Sequence, residues 1–261
     1  MFLRIIMNYK KNRMRKIYTL VLLTLALNLG LKAQTIVTDR PDQTESSVTV
    51  PLKSLQIESG ILVGNYGGGD LKQLLIPSTL LRYGLSKNVE LRFVQQFENL
   101  KNDLTSESDF GISDLEIGAK IQLLKKEDVN TEIAFLSHLI LPTGSKGLTS
   151  DKFGTINKLA ISHVLNDNLG LGYNVGYNNM GEGEGDFTYS TALGIGLGEK
   201  FGTYLELYGA YVEFSNWETN FDTGLTYLIK DNLQLDASFG LGLDHKMHYF
   251  SLGFSWNISR I

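Results

Sequence analysis

The sequence predicts an all-β fold: a transmembrane up-and-down antiparallel β-barrel of about twelve strands. Three observations carry that reading. First, apolar and polar residues alternate over long stretches. In LGLGYNVGYN, Leu169, Leu171, Tyr173, Val175 and Tyr177 take one side of an extended chain, and Gly170, Gly172, Asn174, Gly176 and Asn178 take the other. Strand side chains point to opposite faces in turn, so such a stretch has one apolar and one polar face. Second, the polar face is often small as well as polar. Glycine weakens a strand and adds nothing to a water-facing surface, but facing a narrow lumen it leaves room for larger side chains. Third, charge sits almost wholly on one parity, as expected where a charge facing lipid costs about 2–4 kcal/mol at mid-membrane.

The N-terminus supplies the route to a membrane. Arg4, Lys10, Lys11, Arg13, Arg15 and Lys16 precede the apolar run Ile17–Leu31, which ends at Lys32-Ala33-Gln34. That order describes a secretory signal peptide over residues 1–33, starting at Met1 or Met14 and cleaved near Ala33. The apolar run is short for a retained span of about 20 residues. Residues 1–33 hold 7 of the 24 Lys+Arg and none of the 28 Asp+Glu, leaving 17 basic against 28 acidic and a formal net charge of −11. Nucleic acid needs a basic face and is excluded as a partner. The absence of cysteine excludes a disulfide scaffold and thiolate-held metal.

The elements follow in order. Residues 34–53, with Pro41, Pro51, many Ser and Thr and mixed charge, read as an extended lead-in; 34–50 is expected on the periplasmic side, at the barrel mouth, with the barrel itself at 51–261. Strands at about 55–63 and 72–84 flank Gly64–Leu71. The third, 89–98, follows Ser86-Lys87-Asn88 and sets Val89, Leu91 and Phe93 against Glu90, Arg92 and Val94. The fourth, 111–124, follows a long link, Asn99–Phe110, and opposes Leu115, Ile117, Ala119, Ile121 and Leu123 to Asp114, Glu116, Gly118, Lys120 and Gln122. Strands 131–141, 155–165 and 168–178 are joined by Pro142–Gly154 and Asn166-Asp167-Asn168. Strand 187–198 carries Ser190, Ala192, Gly194 and Gly196 on its polar side. Strands 202–213, 219–229, 232–242 and 247–258 complete the set. Asn and Asp in the even links tolerate tight turns, while the odd links tend to be longer or richer in glycine. Short turns at one end and longer loops at the other are the asymmetry of an outer-membrane barrel. Aromatics on the apolar parity favour strand ends, with Tyr83, Tyr227 and Trp256 toward the short turns and Phe97, Tyr177, Phe187, Tyr189, Tyr211, Phe221 and Phe250 toward the loops. Two such girdles suit two membrane interfaces. A secreted β-sandwich, the competing fold, has no need of them.

TDRPDQTES at Thr38–Ser46, QIESG at Gln56–Gly60, LPTG at Leu141–Gly144 and NLGLGYNVGY at Asn168–Tyr177 resemble the motifs of a bacterial outer-membrane family labelled as transporters or as "MetA-pathway of phenol degradation" proteins, in versions most like those of the Bacteroidetes group. The resemblance implies a barrel in the outer membrane. The phenol label rests on association, and no family motif maps to a ligand-binding residue.

The lumen-facing parity carries Glu58, Arg82, Glu90, Arg92, Glu116 and Lys120 on the first four strands, continued by Glu132, Glu206, Asp222 and Asp236. This set lines either a selective constriction or a salt-bridge network that fills the lumen. About eight strands are filled by side chains and 16–18 leave a channel, so twelve does not decide. Other clusters read as bland. GEGEGD at Gly181–Asp186 lacks calcium-loop spacing, and Asp244, His245 and His248 fall in a hairpin loop. Ser137 and His163 share the outward parity, as in outer-membrane phospholipases, but no third orienting group accompanies them. The sequence therefore predicts a non-enzyme without cofactor or metal, in contact with outer-membrane lipid. Its expected function is passive passage of small solutes, aromatic or apolar ones being suggested only by the family label. The alternative is a non-conducting structural or interaction barrel. Fold alone does not choose.

Overall fold

The computed structural model describes residues 35–126 and 129–259. The predicted leader and its cleavage point lie outside them. Thirteen strands follow in order: β1 (Ser54–Tyr66), β2 (Leu71–Gly84), β3 (Val89–Asn102), β4 (Glu107–Ile112), β5 (Leu115–Leu124), β6 (Thr131–Leu141), β7 (Gly154–Asn166), β8 (Leu169–Asn179), β9 (Asp186–Gly196), β10 (Phe201–Val212), β11 (Asn216–Lys230), β12 (Leu233–Gly242) and β13 (Met247–Ser259). All pairing is antiparallel and joins chain neighbours, except that β5 pairs with β3 across β4 and β1 pairs with β13, so the sheet closes. Strands β4 and β5 both pair with β3, one along its Phe97–Asn102 part and the other along Val89–Val94. They are two halves of one stave, interrupted at Ser113 and Asp114. The wall is thus a closed twelve-stave barrel.

Its packing inverts that of a soluble protein. Large apolar side chains such as Leu205, Leu225, Phe239, Phe250 and Leu252 face outward and are exposed, whereas Arg82, Lys120, Glu90 and Asp222 are 0% exposed. A buried polar interior and an apolar exterior mean that the exterior solvent is lipid. Closure leaves the outer side of β4 as the one strand edge without a ladder partner among the described staves. The stretch that alternates most cleanly, β8, pairs Tyr173 with Ile161 on β7 and Thr191 on β9.

The ends differ from the sequence expectation in one respect. Asn99–Phe110 is mostly ladder, not link: β3 runs to Asn102 and β4 begins at Glu107. β1 and β2 likewise continue to Tyr66 and from Leu71. Strand pairing does not need lipid, so hairpins extend past the apolar band with polar residues on both faces. At the loop end, among the described residues, 142–153 and 180–185 remain as the longer loops. Asp114, at the break, accepts the Gly144 N–H at 2.8 Å and the Ser150 N–H at 3.3 Å, so the interrupted stave anchors the first of these loops. The loop-end girdle includes two residues that the periodicity missed, Phe214 and Trp217; Tyr211 stacks on Trp217 with ring centres 4.7 Å apart. They lie at the β10–β11 turn, where alternation breaks off.

Candidate functional site

Residues 36–50 have no regular secondary structure, yet they are the best-bonded segment of the lumen. Ile36 donates its N–H to Asp231 in the β11–β12 turn, and Thr49 reaches the Lys87 carbonyl in the β2–β3 turn. Both turns are at the short-turn end. The segment therefore enters there, runs up into the barrel, and returns to the same end before β1.

One arm meets a basic wall. Asp39 lies 2.6 Å from Arg92, 2.9 Å from Lys120 and 3.2 Å from Arg82. Glu45 lies 2.8 Å from Arg92 and 3.4 Å from Lys120. Arg82 also holds Glu58 and Glu90 at 2.9 Å each. On the wall alone, the three cations meet two carboxylates, and the segment's Asp39 and Glu45 offset the surplus. The backbone is held as firmly. Glu58 accepts the Asp39 and Arg40 N–H groups, Glu90 accepts that of Val50, and Arg82 donates to the Val48 carbonyl at 2.8 Å.

The other arm meets an acidic wall. Arg40 forms a bidentate pair with Asp236, at 2.8 and 3.3 Å, and donates to Ser251 at 3.0 Å. Its guanidinium occupies space opened by the paired Gly60 and Gly253: a Cβ on Gly253 would fall 2.3 Å from Nη2. At the apex, Glu206 accepts the Gln43 N–H at 2.8 Å and the Thr44 hydroxyl at 2.5 Å. Glu45 and Asn174 exchange two bonds, 2.7 and 3.1 Å. Asp222 accepts from the hydroxyls of Tyr204 and Tyr249. Such charge-assisted bonds are the strong ones, and a desolvated network with this many partners holds one geometry.

All ten residues singled out in the sequence carry lumen-side charge, but they do not form one cluster. Glu58, Arg82, Glu90, Arg92 and Lys120 come together around Asp39. Glu206, Asp222 and Asp236 belong to the opposite wall. Glu116 stands apart toward the loops, paired with His138 at 2.7 Å, and Glu132 stands toward the short turns, paired with Lys125 at 3.2 Å. Sequence reasoning missed the segment's own Asp39, Arg40, Asp42 and Glu45 as lumen residues. Their only signal was the charge density of TDRPDQTES, which alternation cannot use because the segment is not a strand. Elsewhere, Ser137 stands opposite Asn157 and His163 opposite Thr131, so the two are about 20 Å apart at about 3.3 Å per residue. Asp244 bonds His245 and the Thr219 N–H, while His248 turns to Asn65.

Cavities remain on both sides of the apex. Toward the loops, one of about 560 Å³ is lined by Gln43, Tyr66, Tyr208, Asn220, Met247 and Tyr249 among others. Gln43 and Tyr208 also line an adjoining one of about 160 Å³. Toward the short turns, one of about 270 Å³ is lined by Asp42, Thr44, Glu45, Gly170, Gly172 and Gly194 among others. Residues 42–45 line the cavities on both sides, at the small-residue wall of β8 and β9.

A closed, twelve-stave, polar-cored barrel with an apolar exterior is an outer-membrane channel fold. The chain belongs to the family described as "Putative MetA-pathway of phenol degradation", whose model matches residues 38–258. Among solved structures it is similar to an outer-membrane channel of the COG4313 group from Pseudomonas putida F1, with a TM-score of 0.66 and 14% identity over 81% of this chain and 98% of that one. It is also similar to the KdgM porin in complex with disordered oligogalacturonate (TM-score 0.54, 11% identity, 78% and 98% covered) and to the NanC porin (0.52, 10%, 76% and 98%). No curated protein matches.

Proposed function

We propose that this protein is a passive channel for small solutes in the bacterial outer membrane, exported by a leader cleaved near Ala33, and that its own N-terminal segment stoppers it. The observation that carries the reading is the pair of cavities separated by residues 42–45. A barrel built only as a scaffold has no use for open volume on both sides of a thin septum. The segment is complementary in charge to both walls, so the stoppered state is the resting one, and the lumen-facing charges set which ions pass once it moves. A solute-specific role for the family's phenol label does not follow from these residues.

The density of buried ion pairs favours a second reading, a non-conducting structural barrel. Single-channel recording of the refolded mature protein, with and without residues 34–50, separates the two. The channel reading expects rare or small steps from the whole chain and steady, larger, ion-selective steps after the deletion. Silence from both, with folding established by heat-modifiable gel migration, overturns it in favour of the scaffold.

A further inference from the structure

The loop-end cavity is built as a binding site. Two of its aromatic rings are fixed by their own hydroxyls: Tyr66 donates to Gln73 at 3.0 Å, and Tyr249 to Asp222. The Tyr249 ring lies where a Cβ on Gly240 would stand, 2.2 Å from its Cε1, so the wall is notched to seat it. Tyr208 adds a third ring. Between these surfaces are amides without partners. Asn220 is 8% exposed, lines the cavity, and its Oδ1 has no hydrogen-bond partner. The Oδ1 of Asn178, in the adjoining cavity, is likewise unpaired. Gln43 is exposed at the stopper's apex and lines both cavities. A buried acceptor left unpaired is destabilising, and a ligand donor supplies the bond that the fold leaves unmade. The rim carries Glu218 and Lys246, of opposite sign, so the mouth selects for neither anion nor cation.

We propose that this vestibule binds a small neutral polyhydroxylated solute, of the class of a mono- or disaccharide, with hydroxyls meeting the amides of Gln43, Asn178 and Asn220 and an apolar face lying on tyrosine rings. An apolar hydrocarbon leaves the amides unpaired, and a simple phenol, with one hydroxyl, satisfies one of them. The volume is in the usual range of small-molecule sites, about 300–1,000 Å³. Gln43 makes the ligand a contact of the stopper itself. The proposal rests on the reading of the protein as a solute channel.

The test is calorimetric titration of the refolded mature protein in detergent with maltose, glucose, phenol and toluene as probes, alongside Asn220→Leu and Tyr208→Leu. Maltose or glucose is expected to bind in the millimolar range, and each substitution to weaken binding about tenfold, the equivalent of one hydrogen bond or ring contact. Binding of phenol or toluene with neither sugar bound overturns the assignment. Sugar binding indifferent to both substitutions overturns it too, as does no binding of any probe by protein with native heat-modifiable migration. Binding is read at equilibrium and needs no current. Channel activity after deletion of residues 34–50 without sugar binding therefore refutes this site alone, whereas silence on recording refutes the channel reading.

Discussion

Arg82 shows what single residues do in this interior. It is 0% exposed and is shared among Glu58, Glu90, Asp39 and two backbone carbonyls. Removing one partner of a buried ionic network leaves the others charged and unpaired. Arg82→Met is therefore expected to lower stability by about 3–5 kcal/mol, read as a shifted urea midpoint in detergent. At the water-exposed tip of the β3–β4 hairpin the same chemistry behaves differently. Lys101 and Lys72 flank Asp103 at 2.8 and 2.5 Å and hold its carboxyl at about 2, below the usual carboxylate range. A depressed carboxylate contributes above its unfolded value and loses that contribution as pH falls through its folded one. A carboxyl NMR titration should thus find the Asp103 midpoint near 2, moving up toward the ordinary value in Lys101→Met. Residue identity on each parity was legible in the sequence; partners were not. Glu90 and Arg92 were readable as lumen-facing, but nothing in their spacing names Asp39, which lies across a chain reversal.

At the scale of the strand, alternation proved a sufficient guide because one face has a strong physical penalty. Leu205, mid-strand on β10 and outward, is 48% exposed to what the fold makes lipid. Leu205→Arg is expected to cost about 2–4 kcal/mol in a bilayer folding equilibrium. Element ends were less legible for the same reason. Beyond the apolar band neither face is penalised, so β3 and β4 extend through residues whose pattern looks like a link. The broken stave was read through as one strand: Asp114 keeps the polar parity, the polar Ser113 on the apolar parity was the one irregular position beside it, and the capping of the 142–153 loop by Asp114 shows why pairing stops there.

At the scale of the molecule, the lumen and its stopper form one electrostatic unit, with acids of the segment on the basic wall and its arginine on the acidic one. The fold class was readable because periodicity, charge parity and girdles agree. The stopper was not, because an irregular segment leaves no periodic trace. Its movement can be tested directly, since the chain has no cysteine of its own. The Thr44 and Ser190 hydroxyl oxygens lie 2.8 Å apart. In Thr44→Cys/Ser190→Cys, oxidation should abolish whatever conductance the reduced protein shows, and reductant should restore it. Conductance unchanged by oxidation, with the crosslink established by mass, would mean that solutes pass without displacement of the apex.

The notch at Gly60 and Gly253 has a further consequence, for assembly. Those glycines face each other across the join between the first strand and the last, the pairing whose partners are farthest apart along the chain. Arg40 reaches over that join to Asp236 and Ser251. A ring welded with its ends slipped along one another would part the two glycines and put a side chain where the guanidinium belongs, leaving the buried Asp236 without its cation. A slip of one residue would also turn a whole strand inside out. The stopper thus serves as a gauge: it seats fully only in a cylinder whose ends have met in register.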